Sequence, residues 1–125
     1  MRKLALNLAA VMALSTLSLA APKSQTFTGE IMDSQCSAMG SHAEMLKKEG
    51  KGDMDPNSPM ARKMCTQGCV KMGGKYVLFD ATSKAVYQLD DQVKPEKFAG
   101  EKVKAKGTLN KETNTIHVTS IQAGS

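Results

Sequence analysis

Apolar and polar residues alternate along the first segment of the chain that follows residue 24. Phe27, Gly29 and Ile31 occupy every second position there, which is the period of a half-buried β-strand. The alternation returns after Gly74, where Gly, Asn and Asp residues separate the apolar segments and indicate turns. The pattern therefore predicts five short strands, at residues 25–33, 76–80, 85–89, 101–109 and 115–121.

Between the first and second predicted strands the pattern becomes helical. Ser41, followed three residues later by Glu44, is typical of a capping box, and the helix that it begins is expected to end at Gly50. A second helix is expected to have Ser58 as its N-cap and to end at Gly73. The helices predict an insertion at about residues 34–74.

The order of these elements predicts a mainly β fold. Residues 95–100 begin with Pro and end with Gly, which indicates one helical turn between the third and fourth strands. Five strands with this turn predict a small five-stranded OB-like barrel, bent at Gly107 and carrying the helical, Cys/Met-rich insertion after its first strand. A two-sheet sandwich is the alternative. Ile121 is out of phase with Val118, which predicts a bulge or a strand end near Thr119.

The N-terminal segment has the features of a signal peptide. Arg2 and Lys3 precede an apolar run over residues 4–17, and Ser-Leu-Ala stands at residues 18–20 as a cleavage site. Residues 1–20 are therefore predicted to be removed, which leaves a single domain at 21–125. Ala21, not a cysteine, stands directly after the cleavage site, so no stable membrane anchor is expected, and the domain is predicted to be exported, periplasmic or secreted.

Charge and aromatic content argue against nucleic acid as a partner. The chain has a formal charge of +5, and loss of two cations with the signal peptide gives 5 − 2 = +3. The chain has no Trp, two Tyr and three Phe, so few aromatic side chains are present on which bases could stack.

The predicted mature chain of about 105 residues suffices for one small domain, and a monomer is expected.

The three cysteines are the most informative side chains. They are Cys36, Cys65 and Cys69, and the last two share one face of the second predicted helix. Exported proteins usually pair their thiols, so one structural disulfide and one free thiol are predicted. Spacing leaves all three pairings open, although a bridge from Cys36 to either helical cysteine needs less distortion than one within the helix.

A soft-metal site is the alternative. Seven of the nine methionines lie between residues 32 and 72, and sulfur ligands select Cu(I), while zinc accepts sulfur and nitrogen. Against a metal site, methionine commonly fills irregular cores without binding a metal. If two of the cysteines form a disulfide, no cofactor is expected. The candidate copper or zinc ligands are Cys36, His42, Cys65 and Cys69, with Met39 and Met64.

Catalysis is not predicted. A reactive thiol needs a cation or a helix N-terminus to lower its pKa, and Cys65 is placed well inside its helix. The sequence has no Ser/His/Asp set and no glycine-rich phosphate loop. The residues therefore predict a small binding or structural module with an unknown ligand, and a metal-binding protein as the alternative.

Four short motifs occur along the chain: Gly29…Asp33…Cys36, then Cys65…Cys69, then Gly74-Lys75-Tyr76-Val77, then Gly100…Val103…Gly107-Thr108. Together they resemble a group of small exported bacterial OB-like proteins of unknown function. The resemblance covers most of residues 26–121 and implies an OB-like barrel with a cysteine-bearing insertion, but no activity. The longer, Met-rich loop between the first two cysteines departs from the more compact members.

Overall fold

The computed structural model describes residues 22–124. The predicted signal peptide, residues 1–20, lies outside the described residues. The fold is mainly β, with strands β1 to β5, three short helices α1 to α3, and one turn of 3-10 helix before β4. In chain order the elements are β1 (Gln25–Asp33), α1 (Ser34–Met39), α2 (Ala43–Lys48), α3 (Pro59–Lys71), β2 (Tyr76–Asp80), β3 (Ala85–Leu89), the turn (Glu96–Phe98), β4 (Lys102–Asn110) and β5 (Thr115–Ala123).

The five strands form one sheet that closes on itself. Their order around the ring is β1-β2-β3-β5-β4, and every neighbouring pair is antiparallel except the short parallel contact between β3 and β5. Strand β1 pairs with two neighbouring strands: its residues 25–30 pair with β4, and its residues 30–33 pair with β2. The described strands therefore leave no edge within the ring, and the prediction of five strands is confirmed.

A bulge lies where β5 was predicted to be irregular. Lys106 pairs with Ser120, whereas Gly107 pairs with Val118, so Thr119 is the extra residue on β5. A Cβ atom at Gly107 would lie 2.1 Å from the carbonyl oxygen of His117, so only glycine allows this close approach of the two strands.

Sheet strands β1 and β2 are covered on both faces, which produces two cores. The ring core lies inside the sheet and includes Ile31, Leu78 and Val103. The insertion core lies between the helices and the outer face of the ring, and its residues from the sheet include Met32 and Val77. Because successive side chains of a strand point to opposite faces of the sheet, neighbouring residues of β1 and of β2 enter the two cores in turn. The insertion core also contains Cys36, Met45, Leu46, Ala61, Cys65, Cys69 and Phe79.

The predicted starts of the helices were partly correct. Ser58 caps α3, since its hydroxyl oxygen accepts a hydrogen bond from Ala61 N at 3.2 Å. The capping box predicted at Ser41 is wrong: Ser41 Oγ accepts from Ala43 N at 3.0 Å, and His42 is the N-cap residue of α2 without a side-chain cap. The carboxylate of Glu44 pairs with Lys47 instead. Within residues 22–124, no helix is long and apolar enough to cross a membrane.

Candidate metal centre

Asp33 lies at the junction of β1 and α1 and is fully buried. Its carboxylate caps α1: Oδ2 accepts a hydrogen bond from Gln35 N at 2.8 Å, and both oxygens lie 3.3 Å from Cys36 N. An Asp N-cap is favoured at a strand-to-helix junction because it satisfies backbone N–H groups that have no partner in the helix. The carboxylate is thereby held at a fixed position under the helical insertion.

Two cysteines approach this carboxylate from different helices. Cys36 lies in the first turn of α1 and Cys69 near the end of α3, and both are completely buried. One carboxylate oxygen of Asp33 and the sulfur atoms of Cys36 and Cys69 all lie within 4.8 Å of one another. We refer to these three residues as the Asp-Cys-Cys cluster. It joins residues 33 and 69, which are distant in sequence.

Cys65 lies one turn before Cys69 on α3, in the same insertion core, and is 1% exposed. It lies outside the group of ligand atoms within 4.8 Å. Burial, with the negative charge of Glu49 nearby, raises the pKa of the Cys65 thiol to about 11. All three cysteines are free thiols in the structure.

The environment of the cluster favours protonated thiols when no cation is bound. Burial raises the pKa of Cys36, and the hydrogen bond and negative charge of Asp33 raise it further. Burial also raises the pKa of Cys69, with the charge of Asp33 as the next cause. A reactive cysteine requires the opposite shift. The geometry therefore gives no support to thiol catalysis, whereas a bound cation would displace these protons and stabilise the thiolates.

The other residues named as metal ligands lie apart from this cluster or on the surface. His42 is buried, and its Nε2 lies 2.9 Å from Glu30 Oε2. Met39 ends α1 and is 39% exposed. Met64 lies on α3 and is partly buried. Of the predicted set, Cys36 and Cys69 are thus brought together, whereas His42 is paired with Glu30.

Asp33 was not among the candidate ligands from the sequence, although it stands in the Asp-x-x-Cys motif. The available signal was the acid at the end of a predicted strand, directly before a possible helix. The pairing of His42 with Glu30 gave no comparable signal, because twelve residues and a change of secondary structure separate them.

Comparison with known proteins adds no relative: no family model, no curated protein and no solved structure matches the chain. The resemblance to small exported bacterial proteins therefore stays a prediction. Any function must be argued from the fold and from the clusters of side chains that it contains.

Proposed function

We propose that this chain is an exported OB-like domain that binds one zinc ion or Cu(I) ion through the Asp-Cys-Cys cluster. The observation that carries the proposal is the meeting of one buried carboxylate and two buried thiols within 4.8 Å. Buried polar groups at such density need hydrogen bonds or a cation to offset the loss of hydration. A bound cation would neutralise all three groups at once.

The ligand atoms of the Asp-Cys-Cys cluster lie close enough together for small side-chain movements to bring all of them to one ion. Two sulfurs bound to the same tetrahedral zinc ion are about 3.8 Å apart, given Zn–S bonds of about 2.3 Å. The ligand atoms here are separated by at most 4.8 Å. Movements of about 1 Å, which side-chain rotation supplies, would therefore bring them to bonding distance.

The ligand set favours zinc over Cu(I). Zinc accepts carboxylate oxygen together with thiolate sulfur, whereas Cu(I) prefers sulfur alone. Asp33 would supply the oxygen, and a water molecule would take the fourth position. Cu(I) binding would instead depend on Cys65 as a third sulfur ligand.

The sheet supports an OB-like assignment for the ring. Five strands in the order β1-β2-β3-β5-β4, with one turn of helix between β3 and β4, agree with a five-stranded Greek-key barrel. In this interpretation the helical insertion replaces the loop between the first two strands. The candidate metal centre would then hold this insertion against the barrel.

A disulfide between Cys36 and Cys69 is the second candidate, and it would make the chain a stapled structural or binding module. It is favoured by proximity, because the sulfur atoms of Cys36 and Cys69 lie within 4.8 Å of each other. Such a bridge would close a loop of 69 − 36 = 33 residues and stabilise the fold by about 3–4 kcal/mol. Cys65 would then remain as the single thiol.

Competition with a chelator tests the metal proposal. The reduced protein, loaded with Zn(II) and dialysed against a chelator of moderate affinity, is expected to retain one zinc ion per chain. After removal of the metal and denaturation, three thiols should react with an alkylating reagent. Reduced protein that retains neither zinc nor Cu(I) would contradict the proposal.

A further inference from the structure

A groove separate from the Asp-Cys-Cys cluster lies between the helical insertion and the outer surface of the ring. It has a volume of about 450 Å³ and is lined by residues of β1, of β2 and the turn after it, of β4 and of the insertion. Its polar lining includes Glu30, His42, Arg62, Lys102 and Lys104. We call it the His42 groove. A concave site with a few converging polar groups is the usual form of a small-molecule site.

The charge of Glu30 is already matched inside the groove. Its Oε2 lies 2.9 Å from His42 Nε2, and its Oε1 lies 3.3 Å from Arg62 Nε. The Arg62 contact is an ion pair without hydrogen-bond geometry, because Nε makes no hydrogen bond to a described residue. The contact also does not use the two terminal NH₂ groups of Arg62, which remain for a ligand.

Besides the unused NH₂ groups of Arg62, the buried imidazole ring of His42 indicates a ligand. A carboxylate only accepts hydrogen bonds, so Nε2 of His42 carries the hydrogen that Glu30 accepts. The opposite ring nitrogen, Nδ1, is buried and has no partner among the described residues, and the side chain is only 5% exposed. With the hydrogen on Nε2, Nδ1 of the neutral ring can only accept a hydrogen bond. A buried acceptor without a partner costs about 1–3 kcal/mol, a cost that a ligand hydroxyl group, a protonated phosphate oxygen or an ordered water would remove by donating to it.

The remaining charge of the groove is positive. Lys102 and Lys104 form no ion pair with any residue in the range 22–124. The other acid of the lining, Asp80, already accepts hydrogen bonds from its own turn at Thr82 and Ser83. Two unpaired lysines beside an arginine would attract an anion and repel a cation.

We propose that the His42 groove binds a small organic anion with a carboxylate or phosphate group. Arg62 would hold the oxygens of that group through its planar guanidinium, while the two lysines stabilise its charge. Met32 and Phe79 line the groove too and offer apolar contact to the rest of the ligand. The site does not depend on the Asp-Cys-Cys cluster, so either proposal can fail alone.

The test compares lysines on one face of the same strand. Lys102, Lys104 and Lys106 alternate with buried residues along β4 and are all exposed, but Lys106 does not line the groove. Inorganic phosphate and malonate are titrated separately into the full exported chain, with amide chemical shifts as the readout. Physiological ionic strength limits charge effects to about 8 Å.

Saturable chemical-shift changes confined to residues of the groove are expected with at least one anion. The anion that binds with the higher affinity identifies whether the site prefers a phosphate or a carboxylate group. The double variant K102Q/K104Q should weaken binding by about tenfold or more, whereas K106Q should change it less than about twofold. R62K keeps the positive charge but loses the planar guanidinium with its paired N–H donors, so it should also weaken binding. Absence of saturable shifts, or equal losses in K106Q and K102Q/K104Q, would overturn the proposal.

Discussion

Replacing Cys36 or Cys69 by serine is expected to lower the affinity for zinc by more than about 100-fold. Each substitution removes one of the two sulfurs in the Asp-Cys-Cys cluster and leaves a hydroxyl, which is a far weaker ligand for zinc. Because serine has nearly the same shape, the insertion core should remain folded. Competition with a chromophoric chelator measures the affinity, and circular dichroism checks the fold.

Two further variants separate the roles within the cluster. C65S is the matched control, because Cys65 is equally buried on the same helix but lies outside the 4.8 Å group; its effect on zinc affinity should be clearly smaller. D33N removes the ligand charge while keeping a good helix cap, so affinity should fall with little loss of stability. Equal effects of C36S, C69S and C65S would contradict the assignment.

Replacing Gly100 by alanine is expected to destabilise the fold by about 3 kcal/mol or more. Gly100 has a φ of +75°, and an added Cβ would lie 2.4 Å from the backbone nitrogen of Lys63 in α3. The added methyl group meets main-chain atoms, which cannot rotate away, so the helix must move from the ring. Thermal unfolding should show a fall in melting temperature of more than about 10 °C.

Gly50 offers a control with nearly the same backbone conformation. Its φ is +70°, and no atom lies within 4 Å of the position that a Cβ would take. G50A should therefore cost only about 1 kcal/mol, the effect of the left-handed conformation alone. If G100A costs no more than G50A, then the close packing of α3 on Gly100 is not a major contribution to stability.

The strands were predictable because each one is a short segment with a clear pattern. Residues 25–33, 76–80 and 85–89 were predicted with the bounds that the structure has. The ends of β4 and β5 differ by one or two residues, since hydrogen bonding across the ring extends them to Asn110 and Ala123. Ring closure itself depends on pairing between distant segments, which no local pattern records.

The helical insertion was less predictable. Helix α1 was missed because six residues, Ser34–Met39, are too few to show a helical period. Its formation depends on the Asp33 cap and on contact with the sheet. At Ser41 the expected capping box failed, because Glu44 pairs with Lys47 on the surface. Local propensity is weak where tertiary contacts decide the conformation.

The candidate site was predictable only as a set of residue types. The odd number of cysteines marked Cys36, Cys65 and Cys69 as important, and the structure gathers all three in the insertion core. The sequence could not separate Cys69 from Cys65, since one helix turn decides which sulfur lies beside Asp33. For His42, the decisive neighbour is Glu30, and sequence spacing gives no hint of that contact.

Native mass spectrometry of the protein, purified without reducing agent, tests the metal-binding proposal most directly. The proposal predicts a native mass that includes one zinc or copper ion, and three alkylatable thiols after denaturation in the presence of a chelator. A metal-free protein about two mass units lighter than its reduced form, with one alkylatable thiol, would show a disulfide instead. That result would contradict a metal centre at Asp33, Cys36 and Cys69.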